Sequence, residues 1–359
     1  MTSRARPTWS FVALPLAGML VAVVASEVTL RRLQPRAVGS VLQPCVYEPD
    51  PDLGGFRYRG GAEGRVRRGF EIDHRVRINA VGLHDRRLSP RAPGELRIVA
   101  LGDSFTAGIY LPVEQGWPRR LEDALRTRRP GVRVINLGLD GTGTDAQLDR
   151  LQQRIPALAP DVVLLAFYAN DPLDDAQGRF ARVCHRGYVL MFRDDAKAAA
   201  LRGRVDEHLD APLAPIGAAL YRSSYLWRLG LYVALGPRHL ARMNFLTPSR
   251  RIRRADAPTL EASLRRFGRM ARRGGFRAFV VPVPPREDAR GSLAVLRRNN
   301  HDPTIRVLDV TRHLAALARA EGRTHRDLYY RYDNHLNADG QRLFARAVAG
   351  LLFRAAPPL

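Results

Sequence analysis

Lysine is almost missing from this chain of 359 residues: Lys197 stands alone among 58 basic side chains, so nearly all positive charge is arginine. A formal net charge of +23 by itself points to anionic partners. The arginines are scattered rather than gathered in a block. No recognition helix, zinc-finger spacing or RNA-binding signature accompanies them, which argues against a nucleic-acid partner. The excess reads as a solvated basic surface, with at most weak attraction to acidic polysaccharide, lipid headgroups or a cell-wall polymer. Cysteine is scarce too, with only Cys45 and Cys184. There is no C-x-x-C and no Cys/His ligand cluster, so no metal site is expected. In an exported body the two cysteines can pair as a disulfide; in a cytosolic one they are unrelated thiols. Cys45 follows Leu-Gln-Pro, far beyond the apolar run, and is a poor lipidation site. Internal repeats and low-complexity tracts are absent. At 45% hydrophobic and 26% charged residues, the chain is globular, not disordered.

Of long uncharged runs there is one at the start, Trp9–Ser26. Its 18 residues suffice to cross a hydrocarbon core of ~30 Å as a helix. Arg4 and Arg6 precede it, and Arg31, Arg32 and Arg36 follow, so flanking charge does not orient it. An uncleaved anchor competes with a signal peptide cut near Val23-Val24-Ala25. We expect an anchor and linker over residues 1–40, with the body outside the cytoplasm, in a bacterial periplasm or at the cell surface.

Residues 41–95 hold many Gly, Pro and Arg residues and a stretch of alternation at Phe70, Ile72, Val76 and Ile78. This predicts short strands in a small β-rich extension. From Leu96 onward strands and helices alternate. The strands are expected at Leu96–Leu101, Val132–Leu137, Val162–Tyr168, Phe276–Val283 and Ile305–Val310. Helices are expected at Trp117–Arg128, Asp145–Leu158, Thr259–Arg273 and Asn337–Phe353, and Thr144 with Gln147 suggests a capping box. Such alternation implies an α/β domain with a mostly parallel sheet covered on both faces. Residues 181–254 break the rhythm and read as a helical insertion; a lid, a cap or a membrane-lying stretch all fit it.

The first strand runs directly into Gly102-Asp103-Ser104, and open α/β sheets place ligands at such carboxyl ends. A serine hydroxyl needs a base to become a nucleophile. Among the nine histidines, His335 stands in a polar loop before the last helix, with Asp333 two residues away to orient its ring. An oxyanion needs donors. Two loops after strands offer them, Asn136–Gly141 and Tyr168–Asp171. Each of these features also has a plain turn reading, but together they fall at the strand ends that one site requires.

These blocks resemble those of the SGNH, or GDSL-type, hydrolases. Gly102-Asp103-Ser104-Phe105-Thr106 is similar to the first block, Asn136–Gly141 to the second, Asn170-Asp171 to the third and His335 to the last. The resemblance covers roughly 96–175 and 275–350. The G-x-S-x-G elbow of α/β-hydrolases fails, because Thr106 stands at its second glycine. One departure is visible: the family places its Asp three residues before the His, where this chain has Tyr332. Asp333-x-His335 is similar to the D-x-H of SGNH-like proteins that acetylate exported polysaccharides. Asp50-Pro51-Asp52-Leu53-Gly54, Asn79-x-x-Gly82 and the N-terminal segment look like a membrane-anchored bacterial subgroup.

The resemblance implies a flavodoxin-like three-layer α/β/α domain over 96–359 with a five-stranded sheet. It implies Ser104 as nucleophile, His335 as base and Asp333 as its partner. Ser104 N–H, Gly141 N–H and the Asn170 side chain would hold the oxyanion, and no cofactor would be needed. The expected reaction is hydrolysis of a short acyl ester, on an envelope or extracellular carbohydrate. Three alternatives stay open: acyl transfer to a sugar hydroxyl, a lipid esterase or thioesterase, and a non-catalytic glycan-binding or scaffolding module.

Overall fold

The computed structural model describes residues 10–236, 245–246 and 258–355. Trp9 and positions 237–244 and 247–254 of the expected insertion lie outside the described residues. Helix α1 (Ser10–Leu33) follows from the uncharged run. Its Ala13–Leu33 window has a mean hydropathy of 1.9 and none of it is buried. At 1.5 Å per residue the helix is about 36 Å long, enough to cross a bilayer.

The extension is β-rich. Strands β1 (Ser40–Leu42), β4 (Glu63–Gly69) and β5 (Ile72–Arg77) form an antiparallel sheet in the order β1-β4-β5, while β2 (Tyr47–Pro49) pairs with β3 (Phe56–Tyr58). The predicted alternation buries Ile72 and Val76. Phe70 instead sits in the β4–β5 turn and stacks on Tyr225 at 5.5 Å. The extension shares a core with the main domain: Val46, Tyr58, Val66 and Ile72 pack with Ile109, Leu139 and Tyr330.

The main domain opens with β6 (Leu96–Gly102), buried at all seven positions. It continues through α2 (Ser104–Ala107), α3 (Trp117–Arg126), β7 (Val132–Asn136), α4 (Thr144–Leu158), β8 (Val162–Phe167) and α5 (Asp171–Gln177). The insertion does not begin as helix. Residues 181–192 form an antiparallel hairpin of β9 (Ala181–His185) and β10 (Tyr188–Phe192). Then come α6 (Asp195–Asp210), α7 (Ala214–Ser223) and α8 (Tyr225–Leu235), with β11 (Phe245–Leu246) lying parallel to β10. The domain closes with α9 (Leu260–Gly274), β12 (Arg277–Pro282), α10 (Gly291–Asn299), β13 (Ile305–Val307), α11 (Thr311–Ala320) and α12 (Ala338–Ala355).

Strands β13-β12-β8-β6-β7 form one parallel sheet. In chain order this is 2-1-3-4-5, the flavodoxin-like winding, whose direction reverses between its first and third strands, β6 and β8. One apolar layer joins Ile98 and Ala100 to Trp117, Leu121 and Phe344. The other joins Val99 and Leu101 to Leu148, Leu151, Leu264 and Phe267. The expected α/β/α layering is present. The capping box at α4 is not, because Thr144 Oγ donates to Asp171 Oδ2 (2.8 Å) and Gln147 Nε2 donates to the Thr142 carbonyl (2.9 Å). Both side chains are drawn inward by buried acceptors.

Candidate active site

Ser104 lies immediately past β6, at the switch point. Asp103 caps α2 by accepting from Phe105 N–H at 2.9 Å. Ser104 is thereby fixed at the first helical position, where a backbone N–H has no intrahelical acceptor. Its Oγ lies 2.7 Å from His335 Nε2. His335 Nδ1 bonds Asp333 Oδ1, which also accepts from the His335 backbone N–H at 3.0 Å. One carboxylate therefore holds both the ring and the backbone of the residue two positions on.

The loop carrying this pair is pinched at its base. Tyr329 and Leu336 form a bridge, and Tyr330 N–H donates to the His335 carbonyl at 3.1 Å. Asn337 Nδ2 donates to the carbonyls of Asp327 (2.8 Å) and Tyr329 (3.1 Å), and its Oδ1 accepts from Gly340 N–H at the start of α12.

Burial by itself would raise the Asp333 carboxyl. The hydrogen bond and charge of His335, with the Arg68 guanidinium on the other side, outweigh it and hold the group well below the usual carboxylate range. An ionised carboxylate only accepts, so His335 Nδ1 carries the hydrogen and Nε2 is left to accept from the Ser104 hydroxyl. Arg68 comes from β4 of the extension. Its Nη1 donates to Asp333 Oδ2, and its guanidinium lies 4.8 Å from the Tyr110 ring centroid. Tyr110 in turn lies 4.5 Å from the His335 ring, and Phe105 lies 4.8 Å from it.

Gly141 lies in the loop between β7 and α4 at φ +70°, and a Cβ there would meet Arg182 Nη2 at 2.5 Å. Any other side chain here would strain the backbone and have to displace the Arg182 guanidinium. The neighbouring Asp140 accepts from Tyr47 Oη (3.1 Å), Tyr58 Oη (2.6 Å) and Arg182 Nη1. Two tyrosines of the extension and one arginine of β9 thus hold the loop that presents Gly141. Asn170 heads α5, directly after β8. Its Nδ2 donates to Asp174 Oδ2 at 2.8 Å, while its buried Oδ1 has no partner; a second Nδ2 hydrogen remains for a ligand.

Ser104, Gly141, Asp174, Asp333 and Arg68 line one cleft of about 740 Å³. The post-helix segment (Arg36, Val41), the turn of the extension (Glu71) and Tyr232 of α8 line it as well. Cys45, beside β2, is disulfide-bonded to Cys184 on β9, with Cα atoms 5.2 Å apart. The bond ties the extension to the hairpin that carries Arg182. Behind Ser104 three buried carboxyls are pushed up. Asp103 and Asp171 are raised by burial and by neighbouring carboxylates, and Asp175 is raised to about 7, chiefly by burial. Among the described residues no group of His, Cys, Asp and Glu is arranged to hold a metal ion.

The structure brings Ser104, His335 and Asp333 into one hydrogen-bonded line, with Gly141 on the same cleft and Asn170 on the adjacent strand end. Sequence reasoning missed Arg68, Tyr110, Asp140 and Arg182. Only Asp140 carried a signal, as a charged residue beside Gly141 in a strand-end loop.

The site is a switch-point serine after a parallel strand, hydrogen-bonded to a histidine just before the last helix. Residues 98–236 match the family model described as GDSL-like lipase/acylhydrolase. An arylesterase of Vibrio mimicus is 40% identical over 86 residues, which are 24% of this chain and 43% of that protein. The chain thus spans under half the length of the curated relative it matches. Among solved structures, an acetylxylan esterase from Geobacillus stearothermophilus, crystallised as a catalytic mutant, is similar at 15% identity. Its TM-score is 0.40, with 72% of this chain and 94% of that chain covered. A psychrotrophic esterase from Pseudoalteromonas sp. is similar at 14% identity and a TM-score of 0.36, over 72% and 98%. The family match spans Ser104, Gly141 and Asn170 and ends before Asp333 and His335.

Proposed function

We propose that this protein is a serine ester hydrolase that removes short acyl groups, of the O-acetyl type, from an envelope or extracellular carbohydrate. The observation that carries the reading is the Ser104 Oγ–His335 Nε2 hydrogen bond of 2.7 Å, backed by Asp333 on the other ring nitrogen. His335 takes the hydroxyl proton as Ser104 Oγ forms a bond to the ester carbonyl carbon. The negative charge gathers on the carbonyl oxygen, for which Ser104 N–H, Gly141 N–H and Asn170 Nδ2 are the donors. The bond to the alcohol oxygen then breaks, and the imidazolium returns the proton to it. Water, deprotonated by the same histidine, cleaves the acyl-serine.

The polar side chains of the cleft, which lie beside apolar Val41, Phe180 and Met191, support a hydrophilic alcohol. Gln43, Glu71, Asp174 and Gln177 line the cleft together with Tyr110, Tyr232 and Tyr332. The Cys45–Cys184 disulfide supports an oxidising compartment and, with α1, a body held outside the cytoplasm. The Asp333-x-His335 spacing favours one variant of the same chemistry, in which a sugar hydroxyl instead of water resolves the acyl-serine.

The test is mass spectrometry of the full chain after exposure to a fluorophosphonate probe, with Ser104→Ala alongside. Labelling at Ser104 in the wild type alone is expected. A folded wild type that takes no label overturns the assignment. Acetate release from an acetylated xylo-oligosaccharide, compared with cleavage of a decanoyl ester, then tests the acyl length and the alcohol. Acetylated acceptor formed when unmodified oligosaccharide is added would indicate transfer.

A further inference from the structure

Helix α8 is eleven residues long and contains one charged side chain, Arg228. That arginine is 3% exposed, because it turns inward to donate to the Val38 carbonyl and lies 4.5 Å from the Tyr225 ring centroid. The outward surface of α8 therefore carries no charge. Trp227, Val233 and Leu235 stand on it at 41%, 77% and 53% exposure, and Leu213 and Ile216 of the adjoining α7 segment are exposed at 72% and 58%. A water-facing helical pair ordinarily carries polar residues at such positions. Large exposed apolar side chains gathered on consecutive helices mark an interaction site, and the exposed charge on α7 is Arg222 in its last turn, beside the α8 junction.

The covering partner follows from where α8 is fastened. The uncharged run of α1 ends at Ser26, and Glu27 is the first charged residue after it. Glu27 accepts from Ser224 Oγ (3.0 Å), Tyr225 N–H (2.9 Å) and Leu226 N–H (2.8 Å), which satisfies the N-terminus of α8. One turn further on, Arg31 Nη2 donates to the Ser223 carbonyl at the end of α7 (2.6 Å) and lies 4.9 Å from the Tyr225 ring centroid. With the uncharged run in hydrocarbon, Glu27 marks the headgroup level. The α7–α8 junction is bonded to that same level. Tyr225 and Trp227 then stand where aromatic residues concentrate at membrane surfaces.

We propose that the outward face of α7–α8 beds into the phospholipid leaflet from which α1 emerges, so that the Ser104 cleft opens at the bilayer surface. Arg36 and Tyr232 join the two features, since both line the cleft. Arg36 lies only three residues past α1, a reach of at most about 10 Å. The proposal rests on α1 lying in the bilayer and is independent of the esterase reading.

The test uses the full chain reconstituted in phosphatidylcholine–phosphatidylglycerol vesicles, with and without bromines at carbons 6 and 7 of the acyl chain. Subtracting the emission of Trp227→Phe from that of the wild type isolates Trp227 from Trp9 and Trp117. An apolar face seated ~5–10 Å into the headgroup boundary places Trp227 beside these shallow bromines, so its emission should fall by roughly half or more. Emission that bromolipid leaves intact and aqueous acrylamide quenches would show a face in water. Emission that neither agent quenches would show a face covered by a second copy or another protein. Either result, or failure of the chain to float with the vesicles, overturns the proposal. Because no step reads activity, an inert Ser104 would not alter the outcome.

Discussion

Arg68, on the extension, and Asp333, in the loop before the last helix, are 265 residues apart in sequence and form an ion pair at the back of the candidate triad. Asp333 thus faces His335 with one oxygen and Arg68 with the other. A carboxylate held on one side only can rotate away from the imidazole; held on both sides, it cannot.

Arg68→Gln is therefore expected to lower kcat with little change in KM. A charge-assisted hydrogen bond is worth about 1.5–3 kcal/mol, so the fall should be roughly ten- to hundredfold. Arg68→Lys keeps the charge but loses the planar fork, and should recover only part of it. The check is steady-state kinetics on p-nitrophenyl acetate. An Arg68→Gln enzyme with wild-type kcat would show that His335 is oriented without it.

Asn170 presents a different case, because its role depends on a charge that appears only during reaction. Asn170→Ala should leave the fold intact and cost ~3 kcal/mol of transition-state stabilisation, about a hundredfold in kcat. Circular dichroism and turnover measured on the same sample test both halves. Full turnover would remove Asn170 from the oxyanion site.

Which parts were legible in the sequence follows from how local each signal is. Strands β6, β7, β8 and β12 were placed to within a residue or so, because strands of a parallel sheet covered by helices on both faces read as apolar runs, even at its β7 edge. Gly102-Asp103-Ser104 and Asp333-x-His335 were each legible because each is a cluster of neighbours in sequence, while their meeting across 231 residues is the work of the fold. The β9–β10 hairpin was read as helix: Val189–Phe192 is a short unbroken apolar run, which periodicity cannot assign. Thr144 was misread as a cap because its acceptor, Asp171, reaches it only through folding. Arg68 was invisible for the same reason. It is one of 58 basic residues, and nothing near it in sequence indicates that β4 docks beside Asp333.

The Cys45–Cys184 bond closes a separation of 139 residues, which the chain-entropy account values at ~5 kcal/mol as an upper figure. Reduction with dithiothreitol should lower Tm by at least about 5 °C. It should also lower kcat, because Arg182, two residues before Cys184, supports Asp140 and lies against Gly141. The Cys45→Ala/Cys184→Ala double variant should match the reduced wild type and ignore the reductant. Thermal melts and turnover with and without reductant decide this, and unchanged turnover would separate the bond from the site.

The carboxyls behind Ser104 set a pH dependence of stability. Asp103, Asp171 and Asp175 are all raised, Asp175 to about 7, while unfolded aspartates titrate near ~3.9. Between those values the folded state keeps protons that the unfolded chain has lost, so stability falls as pH rises through the window. His84 acts in the opposite sense. Burial lowers it to about 4, so its contribution weakens stability as pH falls from ~6.5. Asp333, held low, matters only below ~4. Above pH 6.5 the carboxyls act unopposed by His84, and below it three carboxyls face one histidine. Tm should therefore decline by several degrees between pH 6 and pH 8, measured by thermal melts at constant ionic strength. Asp175→Asn, whose amide oxygen can still accept from Asp145 N–H as the carboxylate does at 3.0 Å, should flatten that decline. A Tm that climbs from pH 6 to 8 would show that these carboxyls are ionised in the folded protein.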